Sequence, residues 1–381
     1  MPDPGGTLKP ESDTESSASP NSASKFGGEG AVAPLPTRLT ELFGIRYPVV
    51  QTGMGWVATP QLAAATSAAG GLGILASATM SLDELRRAVK EVRERTDAPF
   101  GVNMRADQAD VLERVDLLVR EGVRVASFAM APKQDLIKRL HDGGVLVMPS
   151  IGAKRHAEKV AAWGVDAVLV QGGEGGGHTG SVPTTLLLPQ VVDTVDVPVV
   201  AAGGFFDGRG LVAALSYGAS GVAMGTRFLL TSDSPVPEAV KQHYLTKSVT
   251  DTVVTRQVDG VPHRVLRSDL VEALESEGAV RRTSGALRSA MAFKKMSGTS
   301  WREIVREGRA MRRSQELSWS QVLMAANTPM LLRAAMVDGR DDLGVMAAGQ
   351  VVGLIDDLPS CDELVRRIVT QAHEVLAALP R

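Results

Sequence analysis

The sequence predicts a TIM (β/α)8 barrel with an appended helical subdomain. Three observations carry this expectation: eight short apolar runs up to residue 225, helical patterns between them, and glycine-rich loops where runs end. The runs are YPVVQ (47–51), LGILA (72–76), PFGVN (99–103), VASF (125–128), LVMPS (146–150), AVLVQ (167–171), PVVAA (198–202) and GVAMG (221–225). Runs this short and rich in β-branched residues suit strands buried on both faces. The intervening stretches, such as LRRAVKEVRERT after the capping pair Ser81 and Glu84, have helical period. Strand and helix alternating at close spacing mean parallel βα crossovers. Eight such units favour a closed barrel over a doubly wound open sheet.

Outside the barrel the texture changes. Residues 1–37 are rich in Pro, Gly, Ser and acids, and are expected to be a disordered tail. The barrel core is expected over 38–230. Residues 231–345 read as a helical, substrate-side subdomain with few strand signals, and 346–381 as a segment returning to the barrel. Ser360 and Glu363 supply the capping pair of a last helix. Arg281, Arg282, Lys294 and Lys295 in the helical region could meet the phosphates of a CoA substrate or simply form a solvated face.

Composition narrows the function. The 381 residues carry a net charge of −2 and only 4% aromatics, so neither a basic field nor base-stacking platforms point to nucleic acid. No apolar run is long enough to span a bilayer, and the first residues lack a secretory pattern. A single cysteine speaks for a reducing, cytoplasmic setting. Oligomeric state is not legible.

In this fold chemistry sits on loops after the strand C-termini. Gly203-Gly204 and Gly225-Thr226 follow the seventh and eighth runs, the usual phosphate cradle of the fold. Gly53 and Met54 can offer backbone and a flat apolar surface to a ring, and Asn103 and Gln171 side-chain amides. GGEGGGHTG (172–180) ends in no GK[ST] and opens no helix, so it is neither a Walker loop nor a dinucleotide turn. It does hold His178. An imidazole in a small-residue loop can exchange a proton near neutrality, or merely bind backbone. Glu174 is the other acid–base candidate, or a turn residue. His263 lies outside the barrel loops. No pair of histidines or carboxylates has metal-ligand spacing, so no metal is expected.

The segments VQTGMG, PFGVNMR, VQGGEGGGHTG, PVVAAGGFFDGRG and GASGVAMGTRFL, in that order, resemble the nitronate monooxygenase family, formerly the 2-nitropropane dioxygenases, and equally the flavin-dependent enoyl-ACP reductase. The resemblance covers about residues 38–270 and resumes at GQVVGLIDDLP. It implies a noncovalent FMN held by Gly53, Met54, Asn103, Gln171, Gly176, Gly177, Gly203, Gly204, Met224, Gly225 and Thr226, with His178 for acid–base work. The histidine loop reads GGGHTG where many nitronate enzymes have AGGHRG, which points away from nitronate as substrate. RFLLTSDS, VDGVPHRVLR, SWSQVLMAANTPMLL and DDLPSC are similar to a subgroup of actinobacterial flavoenzymes of steroid C/D-ring breakdown. That likeness implies redox chemistry beside the carbonyl of a CoA thioester. The alternatives are nitronate oxidation with O₂ and a flavin- or phosphate-binding module without turnover.

Overall fold

The eight apolar runs form eight parallel strands: β1 (Val49–Gln51), β2 (Leu72–Ala76), β3 (Phe100–Met104), β4 (Val125–Phe128), β5 (Leu146–Ile151), β6 (Val168–Gln171), β8 (Val199–Ala202) and β9 (Gly221–Met224). In the computed structural model, which describes residues 32–276 and 328–380, they close into a barrel. Closure is made by β9 pairing with β1, Val49 opposite Val222 and Gln51 opposite Met224. Val50, Ile74, Val125, Met148, Leu169, Val200 and Ala223 meet inside, each almost fully buried. Burying both faces of every strand explains why the runs lack polar alternation.

The barrel's lower end is closed by the helix Arg38–Phe43. Thr37 caps it in a capping box with Thr40, and its hydroxyl donates to the carbonyl of Ser220, just before β9. Leu39 and Phe43 join the barrel core. Arg124, just before β4, donates to the carbonyl of Leu42. The opposite end, where the strands finish, is left for the site.

Both capping pairs read from the sequence form at the backbone. Ser81 and Glu84 make a full capping box, and Ser360 accepts from the Glu363 amide. The helix Cys361–Ala378 returns to the barrel and packs against the helix Gly208–Ser216. The contact is close: a Cβ on Gly208 would stand 2.4 Å from the Ile368 carbonyl oxygen.

Beyond β9 the chain is less purely helical than its sequence suggests. β10 (Thr252–Thr255) and β11 (His263–Leu266) pair antiparallel, and β11 pairs again with the two-residue strand β7 (Gly177–His178). The β-branched TVVT and its cross-strand partners override a helical reading. This sheet shares a second small core with the helices Asp269–Ser276 and Thr328–Met336, through Val258, Val265, Val271, Leu331 and Val345. Contacts divide the chain into units 1–33 and 34–381, and everything described here belongs to the second. Residues 1–31, with most of the predicted tail, lie outside the described residues. So do Arg281, Arg282, Lys294 and Lys295.

Candidate active site

A cavity of about 840 Å³ opens at the C-terminal ends of the strands. Every site residue read from the sequence lines it: Gly53, Met54, Asn103, Gln171, Gly176, Gly177, His178, Gly203, Gly204, Met224, Gly225 and Thr226. The glycines bring the loops together. A Cβ on Gly53 would lie 2.4 Å from Cβ of Asn103, so only glycine lets the first loop reach the end of β3. A Cβ on Gly176 would lie 2.6 Å from the Gly349 nitrogen. Gly203 and Gly204 both have positive φ, 89° and 88°, a backbone that side chains rarely adopt.

Thr226 shows how the cradle is held. Its Oγ1 accepts the amide of Gly349 at 3.0 Å, which uses a lone pair and leaves its own O–H to donate. Gln350 donates to the carbonyl of Glu174 at 3.0 Å. The segment around Gly349 therefore clamps the loops after β6 and β9. Gln171 Nε2 donates to the carbonyl of His178 at 2.9 Å, so this amide positions the histidine loop. Asn103 Nδ2 donates to Ser127 Oγ at 3.3 Å, which leaves its carbonyl oxygen to a ligand. A positive-φ glycine pair, a hydroxyl with a proton to give and an amide carbonyl at a strand end together fit the phosphate and ring of a flavin. The glycine backbone makes room for both.

Glu174 has another task. Its carboxylate accepts from the backbone nitrogen of Thr184 at 3.0 Å and from its hydroxyl at 2.7 Å. It thus caps the start of the helix Thr184–Val192, which leaves His178 as the remaining acid–base candidate of this loop. His178 keeps 61% of its side chain exposed. Its Nε2 lies 2.5 Å from Oδ2 of Asp259, a side chain only 5% exposed. Oδ2 of Asp259 is also 3.5 Å from Nδ1 of His263, which is 3% exposed. Burial pushes the Asp259 carboxyl up. The hydrogen bonds and charges of His178 and His263 more than reverse this and hold it far below the usual carboxylate range. Burial pushes the His263 imidazole down, against the pull of Asp259.

Sequence reasoning missed Asp259 and His263. The region after β9 read as helical, and nothing showed that its hairpin folds back onto β7. The signal was present in VDGVPH, since Asp-Gly after a β-branched run marks a hairpin. Two imidazoles and a carboxylate, their atoms within 4.8 Å, would also suit a small divalent ion. Trp56 was likewise not foreseen. Among the described residues it is the only non-glycine with positive φ, 66°, and its Nε1 donates to the carbonyl of Pro329 at 2.9 Å. It joins the first barrel loop to the helix Thr328–Met336, whose Pro329, Leu332 and Met336 line the cavity.

The family model described as nitronate monooxygenase matches residues 36–371, from just before the closing helix into the last one. The chain belongs to the nitronate monooxygenase family. Members of this family and its structural neighbours are oxidoreductases that work with a flavin, which the cavity fits. A relative in Mycobacterium tuberculosis is 65% identical over 341 residues, 89% of this chain and 96% of the relative. Its name is (3aS,4S,5R,7aS)-5-hydroxy-7a-methyl-1-oxo-octahydro-1H-indene-4-carboxyl-CoA dehydrogenase. A relative of the same name in Rhodococcus jostii is 61% identical over 345 residues, 91% of this chain and 98% of the relative. Among solved structures, FabK from Thermotoga maritima is similar with a TM-score of 0.73 at 34% identity, over 90% of this chain and 98% of that one. No helix among the described residues is long and apolar enough to cross a membrane.

Proposed function

We propose that this family member is an FMN-dependent dehydrogenase of a bicyclic CoA thioester, acting beside the thioester carbonyl. The observation that carries the chemistry is His178, exposed at the cavity and anchored from behind by a buried carboxylate. The two relatives above 60% identity carry a substrate of this class in their names. Apolar Trp56, Val57, Met130, Val261, Leu332 and Met336 line the cavity and suit a fused alicyclic ring.

FMN rather than FAD is favoured because the glycine pairs after β8 and β9 offer a single phosphate cradle and no dinucleotide fingerprint is present. A flavin bound there supplies hydride acceptance at N5. The protein supplies the rest. The thioester carbonyl acidifies the adjacent carbon, His178 takes its proton, and a hydride leaves the next carbon to give the enoyl thioester. Gly203, Gly204 and Thr226 would hold the phosphate. A single buried cysteine suits a cytoplasmic enzyme.

The test is anaerobic mixing of the purified protein with the octahydroindene carboxyl-CoA, shorter acyl-CoAs and alkyl nitronates, following flavin absorbance. Bleaching by the bicyclic thioester, with one FMN released per chain on denaturation, is the expected result. Reduction by nitronates alone would make the chain a nitronate oxidase. Release of FAD would overturn the cofactor assignment.

A further inference from the structure

We propose that Asp259 and His263, carried on the hairpin beyond the barrel, form a relay that fixes His178 as a base acting through Nδ1. This rests on the reading of His178 given above, and assigns Asp259 as its positioning residue.

The geometry begins with the sheet. β11 pairs antiparallel with β7, and in that register His263 stands directly opposite His178. Directly opposed residues send their side chains to the same face, and the two rings lie with centroids 4.7 Å apart. The loop before β11 turns at Asp259-Gly260, where Gly260 has a φ of 88°, and drops the Asp259 carboxylate beside both rings. Its Oδ1 accepts the amide of Val261 at 3.2 Å, which fixes the carboxylate's orientation. Arg264 then locks the arrangement to the barrel through its guanidinium, which donates to the carbonyl of Gly173 at 2.9 Å and to Thr252 Oγ1 at 2.9 Å.

A carboxylate this buried is costly unless something pairs with it. His178 and His263 are those partners, but they differ in exposure. His263 is enclosed, its Nε2 has no hydrogen-bond partner, and burial lowers its pKa. The negative charge of Asp259 is therefore directed at His178. In the neutral ring Nε2–H donates to the Asp259 carboxylate, so the lone pair is on Nδ1. When Nδ1 takes a proton from substrate, the imidazolium forms against a carboxylate already in place. Of the charged groups nearest the pair, Glu174 is held by Thr184 and Arg264 by Gly173, while Arg256 of the same loop is exposed.

The experiment has two arms. In the first, Asp259→Asn and Asp259→Glu are compared with wild type by anaerobic rapid mixing with the bicyclic acyl-CoA. Asp259→Asn should retain FMN and bind substrate within about threefold. It should slow flavin reduction by about 10²–10⁴-fold, the span of general acid–base catalysis. Asp259→Glu should recover part of the rate. An Asp259→Glu rate as slow as that of Asp259→Asn would make Asp259 merely structural and overturn the proposal. The second arm needs no known substrate. Nitrogen NMR of histidine-labelled wild type, with His178 assigned by its absence in His178→Ala, should show neutral His178 as the Nε2–H tautomer. The Nδ1–H tautomer would overturn the proposal. If the tautomer is right but no acyl-CoA bleaches the flavin, the substrate reading fails and the relay stands. Dialysis against EDTA should leave activity unchanged; loss restored by Zn²⁺ would overturn the relay and make the three side chains a metal site.

Discussion

At the scale of single residues, the site depends on what Gly204 lacks. Its φ is 88°, and a Cβ there would meet only the Cβ of Glu174, at 3.8 Å. A side chain would thus clash little with the protein itself, but would project into the cradle. Gly204→Val should cost about 1–3 kcal/mol of backbone strain, leave the barrel folded and abolish flavin retention. Flavin content after gel filtration, with circular dichroism as control, measures this, and a normal FMN content in Gly204→Val would remove the phosphate from this loop. The glycine pairs were legible because their place after the seventh and eighth strand runs already gave them a task. Glu174 was ambiguous for the opposite reason: its task depends on Thr184, ten residues on, whose backbone it caps. The sequence gives the two residues and nothing that says they meet.

At the scale of elements, the strands and the hairpin differ in how much they announce themselves. The barrel strands are continuous apolar runs because both faces are buried, so their positions were read to within about two residues at each end. β10 and β11 are four residues each, with Val254 exposed and Arg264 and His263 interleaved with apolar positions, and their partner β7 is a glycine and a histidine. No local pattern reveals a two-residue strand; only the pairing does. Burying His263 on this sheet has a pH consequence. Its folded pKa lies below its ordinary value, through burial. Below about pH 6.5 the unfolded chain takes a proton that the folded site refuses, so stability falls as pH drops through that value. Asp259 contributes in a lower window, since a depressed carboxyl loses its stabilisation only as pH falls below about 3.9. His263→Gln should therefore flatten the fall of Tm between about pH 6.5 and 5. It will not abolish it, because burial and then Lys247 also lower the pKa of His243. An unchanged slope in a thermal-melt series would show that His263 protonates as readily folded as unfolded.

At the scale of the molecule, the cavity at the strand ends is where separate parts of the chain meet. Loops after β1, β3, β6, β8 and β9 line it, and the returning segment adds Ala347, Gly349 and Val351. That segment is joined to the cradle twice, Gly349 to Thr226 and Gln350 to Glu174, and it leads directly into the helix that packs on the barrel. Whatever orders the phosphate loops must then also order the segment, and the dependence is mutual. Flavin binding should act as a clasp between the barrel and the last part of the chain. Apoprotein given FMN at about 100 times its Kd gains about 2.7 kcal/mol by mass action, a rise in Tm of roughly 3–8 °C. Any ligand of the folded state gives a rise in Tm, so the decisive reading is local. Hydrogen exchange at Gly349 and Gln350 should slow on adding FMN, by as much as at amides that exchange only through global opening and by more than at sites that open locally without disturbing the cradle. Thr226→Val removes the acceptor for the Gly349 amide while keeping the side chain's shape. It should weaken FMN binding and remove most of the added protection at Gly349 together. If FMN binds Thr226→Val as tightly as wild type while Gly349 loses its protection, the segment and the cradle are uncoupled and the clasp does not exist.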